Sequence, residues 1–339
     1  MTPKEIFEEA GRKKASDVHI VVGHPILLRI DGVLVEQGKE ILTPEGAEKF
    51  VRAVLGEENW KRFEKEREID VSYAVGDGVR LRVNCHYERG NVGLVARIIP
   101  SAIPSLEDVG LDDKAKGLCM LTNGLILLTG PTGSGKSTSL AAMIQYINQT
   151  REASIVTLED PIEFLFPKGR CVIRQRQYGD DFTSFPEALK RVLRQDPNIV
   201  MVGEMRDLPT IAAALTLAET GHLIFATLHT PNAVQSIDRI VDVFPPHQQH
   251  QIRTQLSLSL KAVIAQQLVP GADGGRIAVR EVLINTPAVS NIIREGRSQE
   301  LPTVLQTGGE SGMRTFEKEA KRLLDAGKIS IETFERIRG

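Results

Sequence analysis

The chain has 339 residues, 41% of them hydrophobic and 25% charged, with a formal net charge of −2. That composition describes a folded chain of two or three globular domains, and excludes disordered and fibrous classes. The near-neutral balance gives no bulk attraction to nucleic acid or anionic membrane, and no run approaches the ~20 apolar residues of a membrane span.

The first stretch, MTPKEIFEEAGRKKASD, is amphipathic and charged and lacks the apolar centre of a signal peptide, so a cytoplasmic protein is expected. After it come DVHIVVG, PILLRIDG, IDVSYAV, VRLRVNCHYE and VGLVARII, with turn signals at Gly76 to Gly78 and Arg89 to Asn91. With a helical stretch from Thr43 to Arg67 these runs predict a small α+β domain over residues 1–98. The two prolines of IPSAIPS, Ile99 to Ser105, mark a linker, taken as residues 99–110. Arg80, Arg82, Arg89 and Arg97 in the meander read either as the solvated face of a strand or as a source of a cation for a neighbouring subunit's phosphates.

From residue 111 to 270 four apolar runs end in polar groups: LILLTG (125–130), SIVTLED (154–160), NIVMVGE (198–204) and LIFATLH (223–229). Helical patterns lie between them, which predicts an α/β domain with a parallel-rich sheet and a ligand site beyond the strands' carboxyl ends. The first of those ends leads into GPTGSGKS, Gly130 to Ser137. Gly130, Gly133 and Gly135 let the backbone turn tightly, with Pro131, Thr132 and Ser134 between them. Lys136 can reach terminal phosphates, the Ser137 hydroxyl can ligate Mg²⁺, and Thr138 opens a helix whose N-terminus favours anions. Strand, loop and helix follow in the order that nucleoside triphosphate binding requires.

Glu204 ends its strand where phosphate-loop ATPases carry a catalytic or Mg²⁺-binding acid, although Gly203 stands where an Asp is expected. Glu159, Asp160 and Glu163 in TLEDPIEF offer a second set of carboxylates for Mg²⁺-bound water or for the attacking water, or else a helix cap. His229 closes a strand beside the loop's strand, whereas His222 begins that strand and is weaker on geometry. His24, His247 and His250 take structural readings. Cys85, Cys119 and Cys171 are odd in number and outside any CxxC pair, so they read as reduced thiols without a disulfide or zinc role. Residues 271–339, including PAVSNIIREGR and TFEKEAKRLLDAGKI, predict a helical C-terminal region.

Together, ASDVHI (15–20), GPTGSGKST, TLEDPIEF, DPNIVMVGEMRD (196–207), AETGHLIFATLHT (218–230) and IDRIVDVFPPHQQHQIRTQLSLSL (237–260) resemble the type II and type IV secretion ATPases. The resemblance is to the pilus retraction branch, the PilT family, and runs nearly end to end. It implies a RecA-like ATPase domain behind a PAS-like N-terminal domain, in a homo-hexameric ring that hydrolyses ATP with Mg²⁺ to power type IV pilus retraction. It also implies docking on an inner-membrane platform protein at the cytoplasmic face, without direct contact to nucleic acid. Under it Glu204 is the catalytic glutamate, Glu159, Asp160 and Glu163 support Mg²⁺ and water, and His222 and His229 couple the site to its neighbours. Ser137 and Glu204 hold Mg²⁺, directly or through water, and Arg82 or Arg97 completes the site in trans.

One departure is AVSNIIRE (288–295), where Ser290 replaces the arginine of the branch's AIRNLIRE. Assembly and export ATPases of the same superfamily carry a four-cysteine zinc element and an extra N-terminal domain, and neither is visible here. A DNA translocase is disfavoured by the charge, and a catalytically silent ring subunit by the intact Lys136, Ser137 and Glu204.

Overall fold

The computed structural model describes residues 2–338 except 31, 76–78, 100 and 101, so the turn at Gly76 to Gly78 and Pro100 and Ser101 of the linker lie outside the described residues. The chain divides into two compact units, residues 1–102 with 163–165, and residues 103–162 with 166–339.

The first unit is an antiparallel six-stranded sheet in the order β3-β2-β1-β6-β5-β4, from β1 (Asp17–Ile20), β2 (Ile26–Ile30), β3 (Val33–Gln37), β4 (Glu68–Val75), β5 (Val79–Glu88) and β6 (Asn91–Ile99). Helix α1 (Pro3–Arg12) starts at a capping box of Thr2 and Glu5 and buries Ile6, Phe7 and Ala10. Helix α2 (Pro44–Glu66), capped by Thr43, bends at Gly56 and buries Phe50, Val51, Trp60 and Phe63 against the sheet. The stretch expected over Thr43 to Arg67 is therefore helical, with Arg67 in the left-handed region stopping it. Strand β3 is absent from the sequence reading for a physical reason: it is an edge strand with Val33, Leu34 and Val35 exposed, so no buried face imposes alternation.

The second unit is a seven-stranded sheet in the order β13-β12-β7-β11-β10-β8-β9. After α3 (Asp113–Cys119) strands and helices follow in the order β7 (Gly124–Thr129), α4 (Lys136–Thr150), β8 (Ser154–Glu159), β9 (Val172–Gln177), α5 (Phe185–Val192), β10 (Ile199–Val202), α6 (Leu208–Glu219), β11 (Leu223–Leu228), α7 (Ala233–Asp242) and α8 (Pro246–Ser259). Strands β7, β10 and β11 are buried along their whole length because both faces are covered. Alternate residues serve two cores: Leu125 and Leu127 face one with Val200 and Ile224, while Ile126 and Leu128 face the other with Met143 and Ile144 of α4. Such two-sided burial fixes the register and aligns the carboxyl ends of β7, β8, β10 and β11 along one edge.

Beyond α8 the chain differs from expectation. Strand β12 (Leu260–Pro270) runs parallel to β7, and β13 (Arg276–Ile284) turns back on it antiparallel, from Ala262 opposite Ile284 to Pro270 opposite Arg276. A hairpin of the sheet thus spans residue 270, and the helices α9 (Pro287–Glu295), α10 (Leu301–Thr307), α11 (Phe316–Asp325) and α12 (Ile331–Arg338) follow it. In this hairpin β13 brings Val279, Arg280 and Leu283 to buried positions, while its remaining residues stay at least partly exposed along the sheet edge. Among the described residues no helix is long and apolar enough to cross a membrane.

Candidate nucleotide site

The loop from Gly130 to Gly135 joins β7 to α4 and is shaped by steric exclusion. Gly130 has φ +142, and a Cβ there would sit 2.1 Å from the carbonyl oxygen of Gln266 on β12. Gly135 has φ +82, and its Cβ would sit 2.9 Å from Nε2 of the same glutamine. Strand β12 therefore presses on the loop so closely that only glycine fits at either end. Pro131, Thr132 and Gly133 remain exposed between them.

Helix α4 begins at Lys136 with Gly135 as a cap that offers no side-chain hydrogen bond, so its first amides are oriented for an external acceptor. Buried Lys136 turns its ammonium back on the loop, donating from Nζ to Gly130 O at 2.7 Å and Pro131 O at 3.0 Å. The Ser134 hydroxyl is buried without a hydrogen-bond partner. A buried orphan hydroxyl, an uncapped helix start and a cation resting on carbonyls form a set that fits a chain of phosphates. Beside Gly135 and Thr138 opens a cleft of about 530 Å³, lined by Val109, Leu268 and Ile277, with room for the nucleoside end of such a ligand.

The acidic side of the site hangs from β10. Gly203 donates its N–H to Leu158 O at 2.7 Å and accepts from the Thr227 hydroxyl, which pins the strand end between β8 and β11. A Cβ on Gly203 would lie 3.1 Å from Leu158 O and 3.3 Å from Glu159 Cα, so a side chain where an Asp was expected would press on the backbone of β8. The next residue, Glu204, carries its carboxylate to two partners. Its Oε1 is 3.2 Å from His229 Nε2, and its Oε2 accepts from Arg206 Nε at 2.8 Å. The other ring nitrogen of His229 is 3.5 Å from the Thr132 hydroxyl, so the imidazole joins the glutamate to the phosphate loop. Arg206 also lies 3.8 Å from Asp160 Oδ2, and pairing with Glu204 raises the guanidinium's pKa. Arg206 escaped the sequence reading, although GEMRD carries the signal: two residues past the glutamate the chain is irregular, and its side chain turns back on Glu204.

The remaining sequence candidates are dispersed. Glu159 is buried on the α4 side of β8, where Oε1 accepts from Thr157 Oγ1 at 2.6 Å and from Gln175 Nε2 at 3.0 Å. Asp160 joins the acidic cluster through Arg206, whereas exposed Glu163 belongs with the first compact unit. His222 stands at the start of β11, with Nδ1 3.1 Å from Leu217 O and 3.3 Å from Thr220 Oγ1. Six strand residues, roughly 20 Å, separate it from the end that carries His229, so the fold does not bring it to the loop. Arg82 and Arg97 face one another across β5 and β6 on the first unit's exposed sheet face, and Arg97 Nε binds Oδ1 of buried Asp17 at 2.9 Å. Among the described residues no group of three or more His, Cys, Asp or Glu could hold a metal ion. The donor set at the loop, the Ser137 hydroxyl and Glu204, fits an Mg²⁺ that takes its other ligands from phosphate and water.

The family model described as type II/IV secretion system protein matches residues 2–336. A type IV pilus retraction ATPase, PilT, of Pseudomonas aeruginosa is 42% identical over 97% of this chain and 95% of its own length. The type IV pilus ATPase PilU of the same organism is 41% identical over 94% of this chain and 84% of its own. The crystal structure of a pilus retraction motor PilT with bound ADP superposes with a TM-score of 0.93 at 42% identity, covering 99% of this chain and 97% of that one. Motifs, α/β architecture and end-to-end similarity agree, and the chain belongs to the type II/IV secretion system protein family.

Proposed function

We propose that this chain is an ATP-hydrolysing motor that powers type IV pilus retraction. The carrying observation is the link from Glu204 through His229 to Thr132, which sets a carboxylate beside a phosphate loop in a chain similar from end to end to a retraction motor. In this reading the triphosphate lies on the loop amides, and Lys136 leaves the Gly130 and Pro131 carbonyls to bind the terminal phosphates. The Ser137 hydroxyl and Glu204, directly or through water, would hold Mg²⁺, which would supply charge neutralisation at those phosphates. Glu204 accepts the proton of the attacking water while His229 and Arg206 fix its orientation. Asp160 and Glu159 support that arrangement from β8, and the nucleoside occupies the cleft beside Gly135.

The motor acts as a homo-hexamer, with residues 1–98 as an N-terminal domain, 99–110 as the linker, an ATPase core from residue 111 that runs past the expected end at 270 to the end of β13, and a helical region after it. Within the ring, Arg82 or Arg97 and the Glu163 segment act at the boundary between neighbours, His222 couples nucleotide state to adjacent elements, and force passes to a platform protein at the cytoplasmic face of the inner membrane. The test is hydrolysis by the purified chain. Wild-type protein releases phosphate from Mg-ATP, and Lys136→Ala lowers turnover at least 100-fold by removing the main phosphate cation. Undiminished turnover in a folded Lys136→Ala protein overturns the site.

A further inference from the structure

Arg280 on β13 is 4% exposed, yet it carries a guanidinium far from the hydrolytic cluster. It lies directly opposite Gln266 in the β12–β13 ladder. Its Nε donates to Gln266 Oε1 at 2.7 Å, one terminal nitrogen to Ser139 Oγ at 3.1 Å and Val109 O at 2.6 Å, and the other to Gly110 O at 3.1 Å. Burial pulls its pKa down to about 10, which leaves it charged at neutral pH. Its direct hydrogen bonds all go to neutral acceptors, and the carboxylates of Glu319 and Asp112 offset only part of the cost of burying the charge.

Those contacts join two halves of one site. Gln266 Oε1 accepts from both Arg280 and Ser139 Oγ, the latter at 2.8 Å, which leaves Nε2 to donate to Ser134 O in the phosphate loop at 2.6 Å. Arg280 thus fixes which way the amide faces, and through it the loop. Its other end grips the carbonyls of Val109 and Gly110, which line the 530 Å³ cleft. The turn they belong to is stiff in itself: Ser105 and Asp108 bond reciprocally at 3.0 and 3.1 Å, and Leu111 N donates to Leu106 O at 2.8 Å.

We infer that Arg280 is a positioning residue for the nucleotide, setting the distance between the phosphate loop and the wall that receives the nucleoside. The inference rests on the cleft being the nucleoside's place. A ligand that spans both halves depends on the spacing, whereas one that touches only the loop depends on it far less. Lysine at 280 keeps the charge but loses the planar fork that reaches four acceptors.

The experiment compares ADP with inorganic tripolyphosphate, titrated calorimetrically into the full chain and its variants. Arg280→Lys weakens ADP about tenfold, about 1.4 kcal/mol, and tripolyphosphate by clearly less. Ser139→Ala, which removes one acceptor with little change of volume, shows the same asymmetry at smaller size and serves if Arg280→Lys fails to fold. Equal weakening of both ligands, or of neither, in a folded variant overturns the inference. Leu268→Asp separates it from the reading beneath: ADP affinity unchanged by that wall substitution removes the cleft reading itself. If Leu268→Asp weakens ADP while Arg280→Lys and Ser139→Ala do not, only the role of Arg280 falls.

Discussion

His229 and Glu204 come from neighbouring strands and meet at 3.2 Å, Nε2 to Oε1, over the mouth of the phosphate loop. The pairing makes His229 a bridge, since its Nδ1 side faces the Thr132 hydroxyl. Asn at 229 would keep a polar group of similar reach but not both contacts. His229→Asn is expected to lower kcat about tenfold with a smaller change in the KM for ATP, read by steady-state phosphate release. Loss of ATP binding instead would assign the ring to the ground state.

Glu204→Gln preserves shape and removes the charge. ATP binding should persist, while hydrolysis falls by a factor on the order of 10² to 10⁴, the range for loss of a general base. Equilibrium binding and turnover measured on one preparation decide it, and lost binding would mean that the carboxylate chiefly holds Mg²⁺.

Arg206→Gln removes the cation between Glu204 and Asp160. The Arg206 side chain is largely exposed, so the pair contributes little to stability, and the melting temperature should move by no more than about 2 °C. Turnover should fall by roughly threefold to tenfold, because the Glu204 carboxylate loses the hydrogen bond from Arg206 Nε that fixes its orientation. An unchanged kcat would leave Arg206 without a part in orienting the glutamate.

Gly130→Ala should be severe and Gly133→Ala mild. The first Cβ would meet Gln266 O at 2.1 Å, whereas the second meets nothing within 4 Å and carries only the strain of φ +78. Expected losses are about 3 kcal/mol or more against about 1 kcal/mol in chemical denaturation. Equal effects would contradict the close approach of β12 to the loop.

In the helical part beyond β13, buried Glu319 is pushed up by burial but pulled further down by the guanidiniums of Arg322 and Arg314, at 2.7 and 2.5 Å, so its pKa is lowered overall. A lowered carboxylate pKa gives stability that is present above the unfolded value, about 4.3, and lost as pH falls through the folded one. Glu319→Gln should therefore destabilise the chain at pH 7 and flatten its stability curve below about pH 4, as followed by circular dichroism.

Legibility in the sequence followed burial. Strands β7, β10 and β11 are covered on both faces, so each announces itself as an unbroken apolar run, and the loop behind β7 needs glycines that no other residue replaces. Strands β3 and β9 lie at sheet edges and are largely exposed or mixed, as in VIRQRQ, which leaves no clean pattern. The contacts of Arg280 with Ser139 and Val109 bridge 141 and 171 positions of sequence, beyond any motif. The place of His222 is legible too: it precedes LIFATL, and the length of β11 sets it at the strand end away from His229.

The most direct measurement is retraction of individual surface pili in cells whose gene for this chain is deleted and then restored as wild type or Glu204→Gln at matched protein levels. The account predicts pili that extend but do not retract in the deletion, recovery with wild type, and none with Glu204→Gln. Retraction at the wild-type rate in the deletion strain, or a deletion strain with no pili at all, would contradict it.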